Sequence, residues 1–283
     1  MAYVDKLSNQ QIKNLNLLLD TFIDAGITNS DFLTALSSMV YKESGIIPQN
    51  EIMNYSKERL PEVWGVFSKT GSVVPKGSGK FNYNALAVKY AGKPEALANY
   101  VYGVQPYGMR TTKYAYGNTA PGDGWKYRGR GYNGHTFKNQ YKLLSDKFGV
   151  DFVKNPDLIN DPKYAPKGTL WYFTDNNRFF KPNEVTDLQD ALKKVYRHNA
   201  GWGNGYPVSA SGYLLMKKTA PEFQQYVNEY LKKKVSPTGD IEPITINVPV
   251  EKPNKLLIPI LLLITLGGLY VYVNKKRKRT QAG

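Results

Sequence analysis

Apolar side chains recur with helical spacing along residues 1–231, while strand-like alternation is scarce. Ser8 and Gln11 form a capping box ahead of an apolar stripe, and Gly26 ends this predicted helix. A second predicted helix begins near Ser30 and stops at Gly45. Further helical stretches cover residues 84–101, 137–148, 187–197 and 219–233. The pattern predicts a mainly α globular domain.

The segment 103–136 interrupts these helices. It holds eight glycines, five tyrosines and one tryptophan in 34 residues. An irregular segment of this length inside a compact domain is usually functional or mobile. We therefore expect it either to contribute to a binding or catalytic site or to move.

A long apolar stretch lies near the end of the chain, at Leu256–Val273, where 18 residues carry no charge. As a helix it would span roughly 27 Å, close to the hydrocarbon thickness of a bilayer. Tyr270 and Tyr272 lie near one predicted interface, and the basic run KKRKR follows directly. This pattern favours a C-terminal transmembrane anchor over the alternative of a buried core helix.

The flanking charges predict the orientation of this anchor. Two lysines precede it within twenty residues, and five Lys or Arg residues follow it. The positive-inside rule places the basic tail in the cytoplasm or its topological equivalent, with the globular domain across the membrane. Alternatively, the basic run binds anionic headgroups on whichever side it lies.

Four prolines, at positions 237, 243, 249 and 253, separate the globular part from the anchor. Recurring prolines favour extended polyproline II structure, so about twenty residues here would reach roughly 60 Å. The predicted organisation is a globular domain at 1–231, a Pro-rich tether at 232–255, the transmembrane helix at 256–273 and a basic tail at 274–283.

Composition narrows the chemistry. The chain has no cysteine and only two histidines, 63 positions apart, which argues against disulfides, thiol nucleophiles, cysteine-ligated zinc and a Ser-His-Asp triad. The net charge is +15, and residues 1–273 keep +10, which suits an anionic partner such as nucleic acid, a lipid surface or cell-wall polymer. The 22 tyrosines suit stacking on bases or on sugar rings. Carboxylates remain as the main acid–base groups.

Glu43 is the first candidate among these carboxylates. At 100° per residue it falls within about 20° of Phe32, on the apolar stripe of the second predicted helix. A carboxyl group there is costly unless it is protonated or paired, and a protonated carboxyl is what a general acid requires. The alternative is that Glu43 lies in the last helical turn and swings into solvent.

Glu51 follows eight residues later, in a predicted loop after Pro48. One helix-borne carboxylate and one on the following loop are able to face each other across a cleft. Inverting glycosidases use such a pair, roughly 6.5–9.5 Å apart, to leave room for a water molecule.

Four parts of the chain, in the expected order, resemble motifs of phage endolysins related to plant chitinases, in glycoside hydrolase family 19. Residues 41–45 (YKESG) and 51–56 (EIMNYS) are similar to the family's HESGG and ENLNYS. Residues 122–131 (GDGWKYRGRG) are similar to its GDGWRYRGRG run. Residues 155–158 (NPDL) and 197–205 are similar to its NPDLL and R-x-I-N-G-G-x-N-G segments.

This resemblance implies a mostly helical, lysozyme-like fold, α+β with minor β, that hydrolyses β-1,4 bonds between N-acetylated amino sugars with inversion. Glu43 matches the general acid, Glu51 the residue that activates water, and Thr136 a threonine that helps to hold that water. Three arginines are expected to brace the cleft and orient carboxylates: Arg128, Arg130 and Arg197. Five other residues are expected to bind substrate: Asn54, Tyr55, Tyr127, His135 and Asn199. No metal or cofactor is implied.

The chain departs from the family pattern at three places. Lys42 replaces the histidine before the acid, and Ile46 replaces the second glycine. The family's IQL triplet is residues 133–135 here, so a substrate-contacting glutamine is lost, and His135 is placed to replace it in part. Adjacent helical side chains diverge by about 100°, so we expect the Lys42 ammonium to point away from Glu43.

These observations predict a membrane-anchored, peptidoglycan-degrading glycosidase that serves phage entry or host lysis. Its expected partners are peptidoglycan strands, a lipid bilayer and other virion proteins, without specific nucleic-acid binding. Its expected location is the internal membrane of a virion or the bacterial inner membrane. Three alternatives stay open: an inactive lysozyme-like virion protein that is structural or sugar-binding, a lytic transglycosylase that uses Glu43 alone, and chitin as the substrate.

Overall fold

The computed structural model describes residues 3–200 and 211–235, and its regular secondary structure is helical. Within these ranges no strand forms, and extended residues pair only as three isolated bridges: Ser68 with Tyr83, Val104 with Arg110, and Arg130 with His135. The prediction of a mainly helical domain is confirmed. Among the described residues, the expected minor β component amounts only to these bridges; at the pair Arg130–His135, for example, Gly131 and Gly134 take positive φ and bend the chain before a ladder can extend.

The described α-helices are α1 Asn9–Asp24, α2 Ser30–Ser44, α3 Leu60–Val63, α4 Gly79–Asn82, α5 Ala85–Tyr90, α6 Pro94–Tyr102, α7 Asp123–Lys126, α8 Lys138–Phe148, α9 Ala165–Phe173, α10 Leu188–Asn199 and α11 Ser211–Val235. Short 3-10 helices lie at Val4–Lys6, Gly65–Phe67, Thr112–Tyr114, Pro156–Asn160 and Pro182–Glu184.

These elements belong to two compact units. The first unit comprises residues 3–48, 162–200 and 211–235, and therefore α1, α2, α9, α10 and α11. The second unit comprises residues 49–161 and contains α3 to α8.

The first unit is built around α2. The predicted capping box starts α1, since the Ser8 hydroxyl accepts from the Gln11 backbone and the Gln11 side chain accepts from the Ser8 backbone. Asn29 caps the start of α2, and Gly45 ends it in the left-handed conformation. Both predicted helices are thus confirmed. Because α2 packs against α10 and α11, twelve of its fifteen residues are buried.

The second unit packs around α6. Leu97 and Val101 are fully buried against Trp64 and Phe67 of the preceding segment. The stretch predicted as one helix at 84–101 divides into α5 and α6, because Gly92 takes a φ of 66° and a proline begins the next helix.

Helix α11 continues to Val235, four residues into the segment predicted as a tether. Among the described helices, none combines the length and the apolarity needed to cross a bilayer. The predicted anchor Leu256–Val273, the basic tail and the rest of the tether lie outside the described residues.

Candidate active site

Glu43 lies in the last turn of α2, and its side chain is buried, as its place on the apolar stripe predicts. Two side chains of α1 hold the end of this helix. The Gln11 amide donates to the Gly45 carbonyl at 2.7 Å, and the Asn14 amide donates to the Ile46 carbonyl at 2.8 Å. The first bond satisfies the carbonyl of the C-cap residue, which the helix end leaves without a partner, and the second fixes the residue that follows it. The turn that carries Glu43 is therefore tied to α1.

Lys42 does not point away from Glu43. Its ammonium Nζ contacts Glu43 Oε1 directly, and the two side chains are 6% and 5% exposed. The same nitrogen lies 5.4 Å from the ring centre of Tyr196 on α10. The expectation from helical geometry was wrong because four flexible methylenes let the ammonium fold back, and burial leaves the carboxylate as its partner.

Asn199, the last residue of α10, provides a second donor to the same oxygen. Its Nδ2 donates to Glu43 Oε1 at 2.8 Å, and the residue is buried. The structure therefore brings together two residues that the sequence separates by 156 positions. Arg197 lies in the same turn of α10, half-buried, while residues 201–205 of that matched segment fall outside the described residues.

Tyr172 is a neighbour of Glu43 that the sequence does not single out. Burial raises the pKa of this phenol, and the negative charge of Glu43 raises it further. Its hydroxyl donates to the His198 carbonyl at 3.0 Å, next to Asn199. Tyr172 thus connects α9 to the end of α10 that carries the amide donor.

Ile46 explains part of the departure from the family pattern. It adopts a φ of 61°, a left-handed conformation that costs energy in a β-branched residue and little in glycine. Its side chain is fully buried. Burial of a complete isoleucine offsets the backbone strain at this position.

Glu51 occupies a different environment in the second unit. Its side chain is buried, and the Tyr102 hydroxyl lies 2.8 Å from each carboxyl oxygen. Its backbone N–H donates to the Gly129 carbonyl at 2.8 Å, and the Gly129 N–H approaches Oε2 at 3.3 Å. Glu51 is thus attached to the segment 122–131. Tyr102 had no signal in the sequence, because it lies one residue beyond the helical stretch predicted at 84–101.

Burial raises the pKa of Glu51 to about 7. Three weaker effects favour the charged form and oppose this rise: the hydrogen bond from Tyr102, the N–H of Gly129 and the positive charge of Arg128. Near neutral pH this carboxyl therefore exchanges between its protonated and charged forms, as a group that accepts a proton during a reaction must.

The two arginines of the segment 122–131 are held tightly. The Arg128 guanidinium stacks 3.7 Å from the ring centre of Trp125 and donates to the Trp125 carbonyl. Arg130 is buried, and its Nε donates to Asp157 at 2.6 Å, in the matched segment 155–158. Arg130 also contacts the Tyr141 hydroxyl at 3.0 Å. These contacts hold both guanidinium groups in place, and the role of the two arginines in bracing a substrate cleft stays a prediction.

Thr136 and His135 follow in the same segment of the second unit. The Thr136 hydroxyl donates to the Gly134 carbonyl at 2.7 Å, and its backbone N–H donates to Gln140. His135 is 1% exposed, and burial lowers the pKa of its imidazole to about 4, so the ring is neutral at pH 7. Its role in binding substrate stays a prediction, as does the role of Thr136 in holding water.

The remaining predicted substrate-binding residues differ in exposure. Asn54 is exposed, whereas Tyr55 is buried against Trp64, with ring centres 5.2 Å apart. Tyr127 is 1% exposed, and its hydroxyl donates to the Val153 carbonyl at 3.1 Å. Contact of these three residues with a sugar stays a prediction.

Comparison with known proteins identifies the family. No family model matches the chain. A protein of Haemophilus influenzae (strain ATCC 51907 / DSM 11121 / KW20 / Rd), described as a glycosyl hydrolase family 19 domain-containing protein, is 31% identical over 166 residues. The match covers 59% of this chain and 68% of that protein. The chain belongs to glycoside hydrolase family 19.

Two solved structures are also similar to this family 19 chain. A crystal structure of a chitinase C variant has a TM-score of 0.40 at 18% identity and covers 77% of this chain and 83% of its own. The structure of chitinase C from Streptomyces griseus HUT6037 has a TM-score of 0.39 at 17% identity, covering 77% and 68%. As a member of family 19, the protein is a glycosidase.

Within residues 3–200 and 211–235, the family 19 chain has no group of three or more His, Cys, Asp or Glu side chains placed to hold a metal ion. The two candidate carboxyl groups instead contact hydrogen-bond donors of the protein. Glu43 pairs with an ammonium and an amide in the first unit, and Glu51 with a phenol and a backbone N–H in the second.

Proposed function

We propose that this family 19 glycosidase cleaves the β-1,4 bonds between N-acetylated amino sugars in peptidoglycan. Glu43 serves as the general acid, and Glu51, with Thr136, activates the attacking water. The observation that carries the proposal is the burial of both carboxyl groups in contrasting surroundings, one beside an ammonium and one beside a phenol. Two carboxyls whose surroundings differ are suited to different steps of one reaction.

In the proposed reaction, Glu43 donates a proton to the glycosidic oxygen as the bond to the anomeric carbon breaks. Water attacks the opposite face of that carbon and gives a proton to Glu51. Attack from this face inverts the configuration of the anomeric carbon. The pKa of Glu51, raised to about 7 by burial, makes it a stronger base than an exposed glutamate.

The net charge of +10 on residues 1–273 supports peptidoglycan over chitin as the substrate. Cell-wall polymer carries anionic groups that attract a basic protein, whereas chitin is uncharged. Clearing of suspended peptidoglycan and of colloidal chitin by the full chain in non-ionic detergent compares the two. Faster solubilisation of chitin than of several peptidoglycan types would contradict the substrate assignment.

Glu43→Gln and Glu51→Gln test the catalytic assignment in the same assay. Each is expected to lower the clearing rate by at least about 100-fold, because general acid or base catalysis contributes about 10²–10⁴. Glu184→Gln, at an exposed ion pair with Lys181, is the matched control and should keep full activity. A folded wild-type chain that clears no wall type would instead support the inactive sugar-binding alternative.

Mass spectrometry of the released fragments separates hydrolysis from transglycosylation. A hydrolase leaves reducing ends, because water adds to the anomeric carbon. A lytic transglycosylase leaves anhydro-sugar ends and does not need Glu51. Anhydro ends together with an active Glu51→Gln variant would move the protein to that alternative.

We further propose that the chain is a phage protein anchored through Leu256–Val273, with its basic tail inside and its enzyme domain on the opposite face. The apolar length, the tyrosines near the C-terminal end of the segment and the KKRKR run support this proposal. Virion and bacterial inner membranes are the two candidate sites. Protease digestion of intact and of detergent-opened particles or cells tests this orientation. A protease that reaches only the membrane face opposite the tail should cut the enzyme domain and leave the tail intact. Protection of that domain together with cleavage of the tail would contradict the orientation.

A further inference from the structure

Among the described residues, the two hydrogen-bond donors to Glu43 contact the same one of its two oxygens. The Lys42 ammonium and the Asn199 amide contact Oε1, while Oε2 accepts no hydrogen bond from the described residues. Lys42 arises from α2 and Asn199 from the end of α10, so the carboxyl group is held from two helices. The two oxygens of Glu43 are therefore chemically distinct.

This asymmetry determines where a proton binds. An oxygen that already accepts from an ammonium and an amide has its lone pairs occupied, so a proton binds more readily to the other oxygen. A carboxyl group with only one donor, or with none, would rotate and exchange its oxygens. The pair of donors instead holds the group in one orientation, so a proton that Glu43 carries during the reaction resides on Oε2.

The identity of residue 42 strengthens this reading. A buried ammonium is costly, and an apolar side chain of similar length would pack in its place without that cost. The helix itself does not require a lysine here, since Met and Leu have comparable helix propensity. Packing and helix formation therefore do not explain a lysine at position 42, whereas its hydrogen bond and charge toward Glu43 do.

We propose that Lys42 is a positioning residue for the acid step: together with Asn199 it holds Glu43 Oε1 and thereby fixes Oε2 as the oxygen that delivers the proton. This inference rests on the proposed role of Glu43 as general acid. In the step, the Oε2–H bond breaks as an O–H bond forms on the leaving group. The electron pair of the glycosidic C–O bond passes to that leaving oxygen, and the resulting Glu43 carboxylate remains beside the Lys42 ammonium.

Two substrates separate this role from a purely structural one. Cleavage of a glycan bond needs a proton on the leaving oxygen, whereas a dinitrophenyl glycoside of the same sugar releases a stable anion without one. For Lys42→Met in the full chain, we expect kcat on the glycan to fall about 10- to 100-fold. On the dinitrophenyl glycoside we expect a loss below about threefold, because general acid catalysis no longer contributes.

Lys42→Gln and Lys194→Met complete the experiment. Lys42→Gln keeps a hydrogen-bond donor at position 42 without the charge. It is expected to lower the ratio of kcat on the glycan to kcat on the dinitrophenyl glycoside about fivefold. If Lys42→Met fails to fold, this variant tests the inference in its place. Lys194→Met removes another lysine–acid pair of the first unit, with Asp190, and should leave the ratio unchanged.

Equal losses on both substrates, or an unchanged ratio in both Lys42 variants, would overturn the inference. Glu43→Gln distinguishes this failure from failure of the proposed function. If Glu43→Gln loses only glycan cleavage while the Lys42 variants show no such selectivity, the acid assignment stands and the inference falls. If Glu43→Gln still cleaves the glycan, the proposed acid itself is wrong.

Discussion

The Tyr102 hydroxyl lies 2.8 Å from both carboxyl oxygens of Glu51, and both side chains are buried in the second unit. A phenol in this position donates a hydrogen bond to the carboxylate, whose negative charge is shared by both oxygens. It therefore stabilises the carboxylate and opposes the effect of burial, which nevertheless raises the pKa of Glu51 to about 7.

Tyr102→Phe removes this donor, so the pKa of Glu51 should rise further. If Glu51 accepts the proton from water, kcat/KM of the wild type should increase as pH rises through about 7. In the variant that increase should move to higher pH, because the charged form of Glu51 loses a hydrogen-bond donor. Tyr100→Phe removes a hydroxyl from the same helix, where the ring stacks on Tyr90, and serves as the control. An unchanged profile in Tyr102→Phe would argue against Glu51 as the titrating base.

Glu51 should also make stability depend on pH. Folding favours its protonated form, so its contribution is fully present below about pH 4.5 and is lost as pH rises through about 7. The loss is on the order of 3 kcal/mol at 1.4 kcal/mol per unit. In Glu51→Gln this dependence should be absent, and thermal unfolding of both proteins at pH 5 and pH 8 measures the difference. Equal slopes for the two proteins would contradict the expectation.

His135 should make stability depend on pH in the opposite direction from Glu51. Burial lowers the pKa of its imidazole from 6.5 to about 4, so its contribution to stability is present above pH 6.5 and is lost as pH falls toward 4. His135→Leu replaces the ring with an apolar group that does not titrate. Between pH 6.5 and pH 4 its unfolding temperature should fall less than that of the wild type. A steeper fall in the variant would be inconsistent with a neutral buried histidine.

Arg130→Met should destabilise the second unit by about 1–3 kcal/mol, because it removes the charged donor of four hydrogen bonds, one of them to the buried Tyr141 hydroxyl. The guanidinium contacts Asp157, the Tyr141 hydroxyl and the carbonyls of Lys126 and Arg128. Chemical denaturation measures the change. Lys181→Met breaks an exposed pair and is the control, with an expected cost below about 0.5 kcal/mol. Equal costs for the two variants would show that Arg130 is not a brace.

Gly124→Ala should cost about 2–3 kcal/mol, because α7 packs directly on the backbone of α6. An added Cβ would lie 2.5 Å from the Ala98 carbonyl oxygen and 2.7 Å from the Asn99 Cα. Gly149→Ala is the comparison. A Cβ at position 149 would meet open space, but the φ of 65° should cost about 1 kcal/mol of backbone strain. Unfolding temperatures should fall further for Gly124→Ala, and the reverse order would contradict the close packing.

Local patterns were sufficient to predict α2, which carries Glu43, and α1, whose side chains hold the end of α2. The capping box at Ser8 and Gln11 and the glycine at position 45 act over a few residues, so the bounds of α1 and α2 follow from neighbouring side chains. Periodicity also placed Glu43 on the apolar stripe but left open whether its side chain turned into solvent, and the structure shows that it is buried. By contrast, helical geometry predicted that Lys42 points away from Glu43, and the structure shows the two side chains in contact. The prediction failed because it considered only the direction in which each side chain leaves the helix, and neither side-chain flexibility nor burial.

The sequence by itself determined the helical character of the chain, the candidate carboxyl groups and the family to which their motifs belong, because these depend on residue type and on short spacings. Only the tertiary structure decided the partners of those carboxyl groups. Asn199 reaches Glu43 across 156 positions, and Tyr102 reaches Glu51 across 51. Such contacts arise when packing excludes water and buried polar groups must find donors within the protein, a requirement that acts through space rather than along the chain.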